Sequence, residues 1–109
     1  MKKLSTVTAA CALLLSGQVY AAGATSIGKI DIMYVNNGWT MVHGEKIKGN
    51  PSNCSDSTYY AIVPSHPNYD ALHSTLLAAK LAGTNVNFYV SGCSGQNNKY
   101  PRITSIWVR

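Results

Sequence analysis

The sequence predicts a small, mainly β domain with a single helix, in the order β-β-β-α-β-β. Short runs with apolar residues at every second position, bounded by Gly, Asn or Pro, are typical of half-buried strands. One central stretch has the length of a helix and ends at Gly83, a natural stop. No repeat, linker or charge run interrupts residues 22–109. We therefore expect one domain there.

The first 21 residues have the pattern of an export signal. Lys2 and Lys3 form a basic start, residues 7–15 are apolar, and Val19 and Ala21 offer small side chains at the positions that a signal peptidase recognises. We expect residues 1–21 to be a signal peptide and residues 22–109 to be secreted or periplasmic. No later apolar run is long enough to span a bilayer, so no membrane span is expected.

Cleavage after Ala21 would leave two cysteines, Cys54 and Cys93. Cys11 precedes the leucine run, which argues against a lipoprotein. An even cysteine count in an oxidising compartment favours a disulfide between Cys54 and Cys93. Neither belongs to a CxxC pair or to a metal-ligand spacing, and we expect no metal and no cofactor.

The charge pattern argues against a nucleic-acid partner. Seven basic and four acidic residues would remain after cleavage, a net charge of +3. The basic residues are scattered, whereas a nucleic-acid-binding surface groups them into a patch or stripe. We interpret them as a solvated surface.

Three strands are predicted before the helix. The first covers residues 28–35, with Ile30, Ile32 and Tyr34 on one side and Lys29, Asp31 and Met33 on the other. The turn at 36–38 predicts a hairpin with a second strand at 39–43. Residues 44–57 have the composition of a loop, which the disulfide would hold in place. Residues 58–63 are aromatic and β-branched enough for a third strand.

The helix is predicted to begin after Ser65 or Asn68 and to end at Gly83. Spacing at 100° per residue places its small and apolar side chains on the half expected to face the sheet: Ala71, Leu72, Thr75, Leu76, Ala78, Ala79 and Ala82. Leu77 and Leu81 fall on the opposite, polar half beside His73. We interpret these three residues as a subunit contact. The alternative is that the leucines are simply exposed or covered by a loop.

Two strands follow the helix. Residues 86–90 alternate, with Val86, Phe88 and Val90 facing one way. A polar loop covers residues 94–101. Residues 102–108 form the last strand, in which Ile106 and Val108 are opposed by Ile103 and Trp107.

The helix-to-strand segment carries a resemblance to a known family. Residues 69–93, with STLLAAKLAGTNVNFYVSGC from Ser74, resemble the binding subunits of the subtilase-cytotoxin type, among the small A/B-toxin binding subunits. The order of elements extends this similarity over residues 28–109. The resemblance implies an OB-fold-like barrel that binds sialylated glycans as a pentamer with its helices at the centre. Residues 22–29 do not match the family's glycan-contacting serine and acidic cluster, so no binding residue is transferred.

Aromatic and loop residues are the best candidates for a binding site. Aromatic rings offer flat apolar faces, and amides and hydroxyls offer donors and acceptors, a combination suited to a sugar or a protein surface. The candidates are Trp39, Ser94, Gln96, Asn97, Asn98 and Tyr100. We therefore expect a secreted binding module and not an enzyme.

Two other classes of function stay open. A small secreted or periplasmic hydrolase, such as a nuclease, would draw its acid-base groups from His43, Glu45, His66, His73 and Arg102. A periplasmic inhibitor would act through its loops.

Overall fold

The structure, a computed structural model, describes residues 21–109; all of the predicted signal peptide except Ala21 lies outside the described residues. The strands are β1 (Ala22–Ala24), β2 (Ile32–Asn36), β3 (Trp39–His43), β4 (Tyr60–Ile62), β5 (Val86–Ser94) and β6 (Tyr100–Val108), and the helix is α1 (Tyr69–Ala82). The predicted class, mainly β with one helix, is confirmed. So is the predicted order, to which β1 adds a strand at the start.

The six strands form one curled sheet in the order β1-β5-β6-β4-β3-β2. Neighbouring strands are antiparallel except β4 and β6, which run parallel and pair through Ala61 and Arg102. The edge strands, β1 and β2, come from one continuous stretch of chain, and Gly28 between them bridges to Val86. The architecture is barrel-like, although no ladder joins the two edges.

The hydrophobic core lies between the curled sheet and α1. Its buried members are Ile30, Val42, Ile47, Tyr60, Ile62, Leu76, Ala79, Val86, Phe88, Val90 and Ile103. The alternation predicted for Val86, Phe88 and Val90 is confirmed, since all three are buried. Helix α1 ends as predicted: Gly83 adopts a left-handed φ of 65°. The N–H of Thr84 donates to the carbonyl of Ala79.

The predicted first strand at 28–35 was wrong in its start and in its faces. Regular pairing begins at Ile32, which is 43% exposed, whereas Met33 packs against the core. The N–H of Asp31 donates to the carbonyl of His43, although the register partner of His43 is Ile32. Asp31 and Ile32 therefore both face His43, as in a β-bulge. The alternation of inward and outward side chains shifts by one position at this point.

The last strand contains a similar shift. Val90 pairs with Ile103 and Phe88 pairs with Ile106, so three steps along β6 match two along β5. Ile103 is buried and Ile106 packs against the same core, although the period-two pattern placed them on opposite faces. A shift in the register of the two strands places both side chains on the same face, and the sequence pattern does not reveal such a shift.

The buried face of α1 is narrower than predicted. Leu76 and Ala79 are buried, and Tyr69 and Leu72 pack partly against the core. The helix approaches the sheet along this line, so the remaining small residues of the predicted half, Ala71, Ala78 and Ala82, are exposed.

Several strand boundaries differ from the prediction. Strand β1 has the sequence Ala-Gly-Ala, which carries no alternation, and it forms because its backbone pairs with β5 from Ala22 opposite Ser91. Strand β4 is shorter than residues 58–63. Strand β5 continues beyond the predicted residues 86–90 to Ser94, and β6 begins at Tyr100, so residues 94 and 100–101 of the predicted loop belong to strands.

Candidate binding surface

Three tyrosines form a row on the outer face of the sheet. Tyr34 lies in β2, Tyr59 directly precedes β4, and Tyr100 begins β6. The ring centroids of Tyr34 and Tyr59 are 5.4 Å apart, and those of Tyr59 and Tyr100 are 6.1 Å apart, both edge to face. All three are half-buried. This tyrosine cluster, Tyr34, Tyr59 and Tyr100, is a partly solvated aromatic surface.

Charged groups border the tyrosine cluster. The ammonium of Lys99 lies 5.5 Å from the centre of the Tyr100 ring, within cation–π range. The imidazole of His43 lies 5.7 Å from the Tyr59 ring, and its Nδ1 is 2.6 Å from a carboxylate oxygen of Asp31. That hydrogen bond holds the pKa of Asp31 below its usual value. Burial raises the pKa of Tyr34 above 10, and the nearby phenols of Tyr100 and Tyr59 raise it further.

The 95–99 loop, which contains a short 3₁₀ turn at Gln96–Asn98, lies beside Tyr100. A Cβ built on Gly95 would be 2.8 Å from the Tyr100 ring, 3.2 Å from the Met41 side chain and 3.4 Å from the Ala61 side chain. Gly95 also has a φ of 77°, so both space and conformation require glycine there. The loop therefore lies directly on the outer face of the sheet.

The amide of Gln96 is unusual. Both of its polar atoms are buried, and neither has a hydrogen-bond partner among the described residues. A buried unpaired amide costs roughly 1 to 3 kcal/mol. Asn97 and Asn98 add backbone strain, with φ values of 59° and 50°. Strain and unpaired polar groups of this kind concentrate at functional sites.

The disulfide predicted between Cys54 and Cys93 is confirmed, with a Cα–Cα distance of 5.7 Å. It joins the loop before β4 to the end of β5, one residue before Ser94. The Asn50 side chain reinforces this junction: its amide nitrogen donates to the Cys54 carbonyl, and its oxygen accepts from the Cys54 N–H. The base of the 95–99 loop is thus firmly held.

The candidate binding residues are only partly brought together. Tyr100, Gln96, Asn97 and Asn98 lie in or beside the 95–99 loop, with Asn97 and Asn98 exposed. Ser94 is 4% exposed. Trp39 shares the outer sheet face by register, but none of the close aromatic pairs around the cluster includes it.

Sequence reasoning missed Tyr34 and the Asp31–His43 pair as parts of this surface. The signal that could have found them is the two-residue turn at Asn37-Gly38, with φ values of 51° and 85°. It fixes the hairpin register, so that Tyr34 lies opposite Met41 on the same sheet face as His43.

A second exposed aromatic pair lies on β5 and β6. The rings of Tyr89 and Trp107 are 6.3 Å apart, and the guanidinium of Arg109 lies 5.9 Å from the Trp107 ring. Both rings are large and exposed, which makes this pair a useful control for the tyrosine cluster.

The residues predicted at a subunit contact, His73, Leu77 and Leu81, lie on α1 on the side next to the edge strand β2. Leu77 and Leu81 are exposed, and with His73, Met33 and Val35 they line a groove of about 310 Å³ between α1 and β2. His73 is held in place because its Nδ1 is hydrogen bonded to the buried hydroxyl of Thr40, 2.7 Å away. The hydroxyl of Tyr69 is hydrogen bonded to the same Thr40 hydroxyl.

Within residues 21–109, no group of three or more His, Cys, Asp or Glu side chains is placed to hold a metal ion. No helix in this part of the chain is long and apolar enough to cross a membrane. Neither the models of known protein families nor the curated proteins gave a match to the chain.

Proposed function

We propose that this protein is an exported binding module that recognises a glycan through the tyrosine cluster. The observation that carries the proposal is the row of three half-buried tyrosines, with Lys99 and His43 at its border. Aromatic rings supply apolar contact area for the C–H face of a sugar. The phenols, the exposed amides of Asn97 and Asn98, and the charged border supply partners for its hydroxyls.

Glycan-array binding of the purified protein tests this proposal. Tyr100→Ala and Tyr59→Ala are expected to reduce binding at least tenfold, because each removes one ring of the cluster. Trp107→Ala is the matched control, since it removes an exposed ring on a different part of the sheet. Equal losses in all three variants, or no binding by the folded wild type, would contradict the proposal.

A protein ligand is the other outcome of the same test. Aromatic surfaces also suit protein partners. Binding that requires Tyr100 and Tyr59, but is found for a cell-surface protein stripped of glycans and not for the array, would move the assignment to a protein receptor. An inhibitor would be recognised by loss of a target enzyme's activity.

A hydrolase is the second candidate, and one observation favours it. The Asp31 carboxylate fixes the imidazole of His43 through Nδ1, which leaves Nε2 free to act as a general base. A cavity of about 250 Å³ beside it is also lined by Lys48, Ser57 and Thr58. RNA or glycan turnover that is lost in both His43→Ala and Asp31→Asn would support an enzyme. Binding without turnover favours the module.

We also propose that copies of the chain associate through the groove between α1 and β2. The resemblance to A/B-toxin binding subunits implies a pentamer, and Leu77 and Leu81 give this groove an exposed apolar border. Leu81→Glu is expected to shift sedimentation toward the monomer, because a charge buried without a partner is unfavourable. Ala82→Glu adds the same charge at an exposed neighbouring position outside the groove and serves as the control. A monomeric wild type at micromolar concentration would exclude the association.

A further inference from the structure

We propose that the 95–99 loop is a lid over a second part of the ligand site. In this proposal the loop opens to offer the amide of Gln96, together with the side chains of Met41 and Ala61, to a sugar ring. The identity of the ligand rests on the proposed glycan-binding function. The opening of the lid does not, and it is tested without ligand.

The loop covers residues that do not belong to the main core. Met41 and Ala61 are fully buried, but neither belongs to the core cluster between the sheet and α1. Met41 is the register partner of both Tyr34 and Ala61, so its side chain lies on the outer face with the tyrosine cluster. Gly95 lies directly over both side chains. Removing the loop would extend the aromatic surface with an apolar floor.

The loop can move while the barrel stays intact. One backbone hydrogen bond, from the N–H of Asp56 to the Lys99 carbonyl, joins it to a neighbouring segment, and another, from the N–H of Asn98 to the Gly95 carbonyl, lies within it. Its ends are fixed by the pairing of Ser94 with Tyr100 and by the disulfide at Cys93. Opening therefore breaks few backbone hydrogen bonds, and the flanking strands define where the loop returns.

The closed loop contains a polar group in an unfavourable place. Gln96 is partly exposed as a residue, but its amide nitrogen and oxygen are buried and unpaired. The polar end of this side chain thus faces protein, the reverse of the usual orientation of such side chains. Left-handed backbone at Asn97 and Asn98 adds strain. Each feature raises the population of the open state.

The chemistry of the opened surface fits a pyranose ring. Met41 and Ala61 would contact the C–H face beside the Tyr100 ring. The Gln96 amide carries two N–H donors and a carbonyl acceptor, which match adjacent hydroxyl groups. Closure over such a ligand would give the amide the partners that it lacks in this structure.

The oxidation of Met41 by hydrogen peroxide measures the opening. Met41 is shielded by the loop, whereas Met33 is partly buried elsewhere and reports general reactivity in the same molecule. In the full-length protein after export, we expect Met41 to oxidise at a rate that low urea concentrations leave unchanged, because local opening exposes little surface. A Met41 rate that rises with urea in step with global unfolding would overturn the proposal.

Gln96→Leu tests the role of the amide. Removing the unpaired group is expected to stabilise the closed loop and to slow Met41 oxidation about tenfold, while Met33 is unaffected. Asn37→Gly is the control, because it relieves a left-handed Asn in the β2–β3 hairpin and leaves the loop alone. If the branched leucine disturbs folding, Gln96→Met serves instead, with hydrogen exchange of Asn97 and Asn98 as the readout. Unchanged Met41 oxidation or unchanged exchange would refute the inference, whatever the glycan array shows.

Discussion

Deprotonation of the Tyr60 phenol is expected to lower the stability of the fold at alkaline pH. Tyr60 is 1% exposed, and its hydroxyl donates to the carbonyl of Gly49 at 3.0 Å. Burial raises its pKa to about 12. The phenol of an unfolded chain has a pKa near 10. The folded protein therefore holds this proton more tightly than the unfolded chain does.

Proton linkage gives the sign and the size of the change in stability with pH. A group with a raised pKa in the folded state contributes stability that is fully present below pH 10 and is lost as pH rises through about 12. The two pKa values give a loss of about 1.4 kcal/mol at pH 11, with a limit near 2.7 kcal/mol at still higher pH. For a domain of this size such a loss is a substantial fraction of the total stability.

Urea unfolding of the wild type and of Tyr60→Phe, at pH 9 and pH 11, isolates this contribution. At pH 9 the variant is expected to be less stable by about 1 kcal/mol, because the Gly49 carbonyl loses a donor. At pH 11 the difference between the two proteins should shift by about 1.4 kcal/mol in favour of the variant. The two proteins differ only at residue 60, so the comparison isolates this phenol. A difference in unfolding free energy that does not change with pH would refute the reasoning.

Three further predictions concern the disulfide, the loop glycine and the exposed hydrogen bond between Asp31 and His43. Cys54→Ser is expected to lower the free energy of unfolding in urea by about 4 kcal/mol, since the bond to Cys93 closes a loop with a sequence separation of 39. Reaction of the unreduced wild type with iodoacetamide would contradict the presence of this bond. Gly95→Ala should destabilise the protein by about 1 kcal/mol or more beyond the effect of Gly83→Ala. Both glycines have positive φ, but only Gly95 has close neighbours. Equal losses of stability would refute this. Asp31→Asn should remove a stabilising contribution of less than about 1 kcal/mol, which the wild type itself loses on acidification because the Asp31 pKa is lowered in the fold. The same dependence of unfolding free energy on acidic pH in both proteins would exclude this contribution.

The parts of the fold that could be predicted from the sequence are those governed by local pattern. The alternation at 86–90 predicted a buried strand because the extra residue in the ladder lies on β6, so the side chains of β5 keep their alternation through Val90. The cysteine pair followed from compartment and count. The helix stop at Gly83 required only the conformational freedom of glycine.

The failures arise where distant contacts override the pattern. Strand β1 exists only because β5 lies beside it, and its Ala-Gly-Ala sequence carries no signal of its own. The shifts at Asp31 and near Ile103 move side chains to the other face, and a period-two pattern cannot locate them. The tyrosine cluster joins residues of β2 and β6 with the residue before β4, so only the register, and not the spacing along the chain, brings its rings together.

The position of β1 at one end of the sheet has a consequence for the timing of folding. Ala22 pairs with Ser91, so the first strand has no partner until almost the whole chain has been synthesised. The stretch that supplies both sheet edges must therefore stay unpaired at one end while the remainder emerges, and such long-range pairing forms slowly. The export proposed for this chain requires it to be unfolded, and a first strand that waits for its partner fits that requirement.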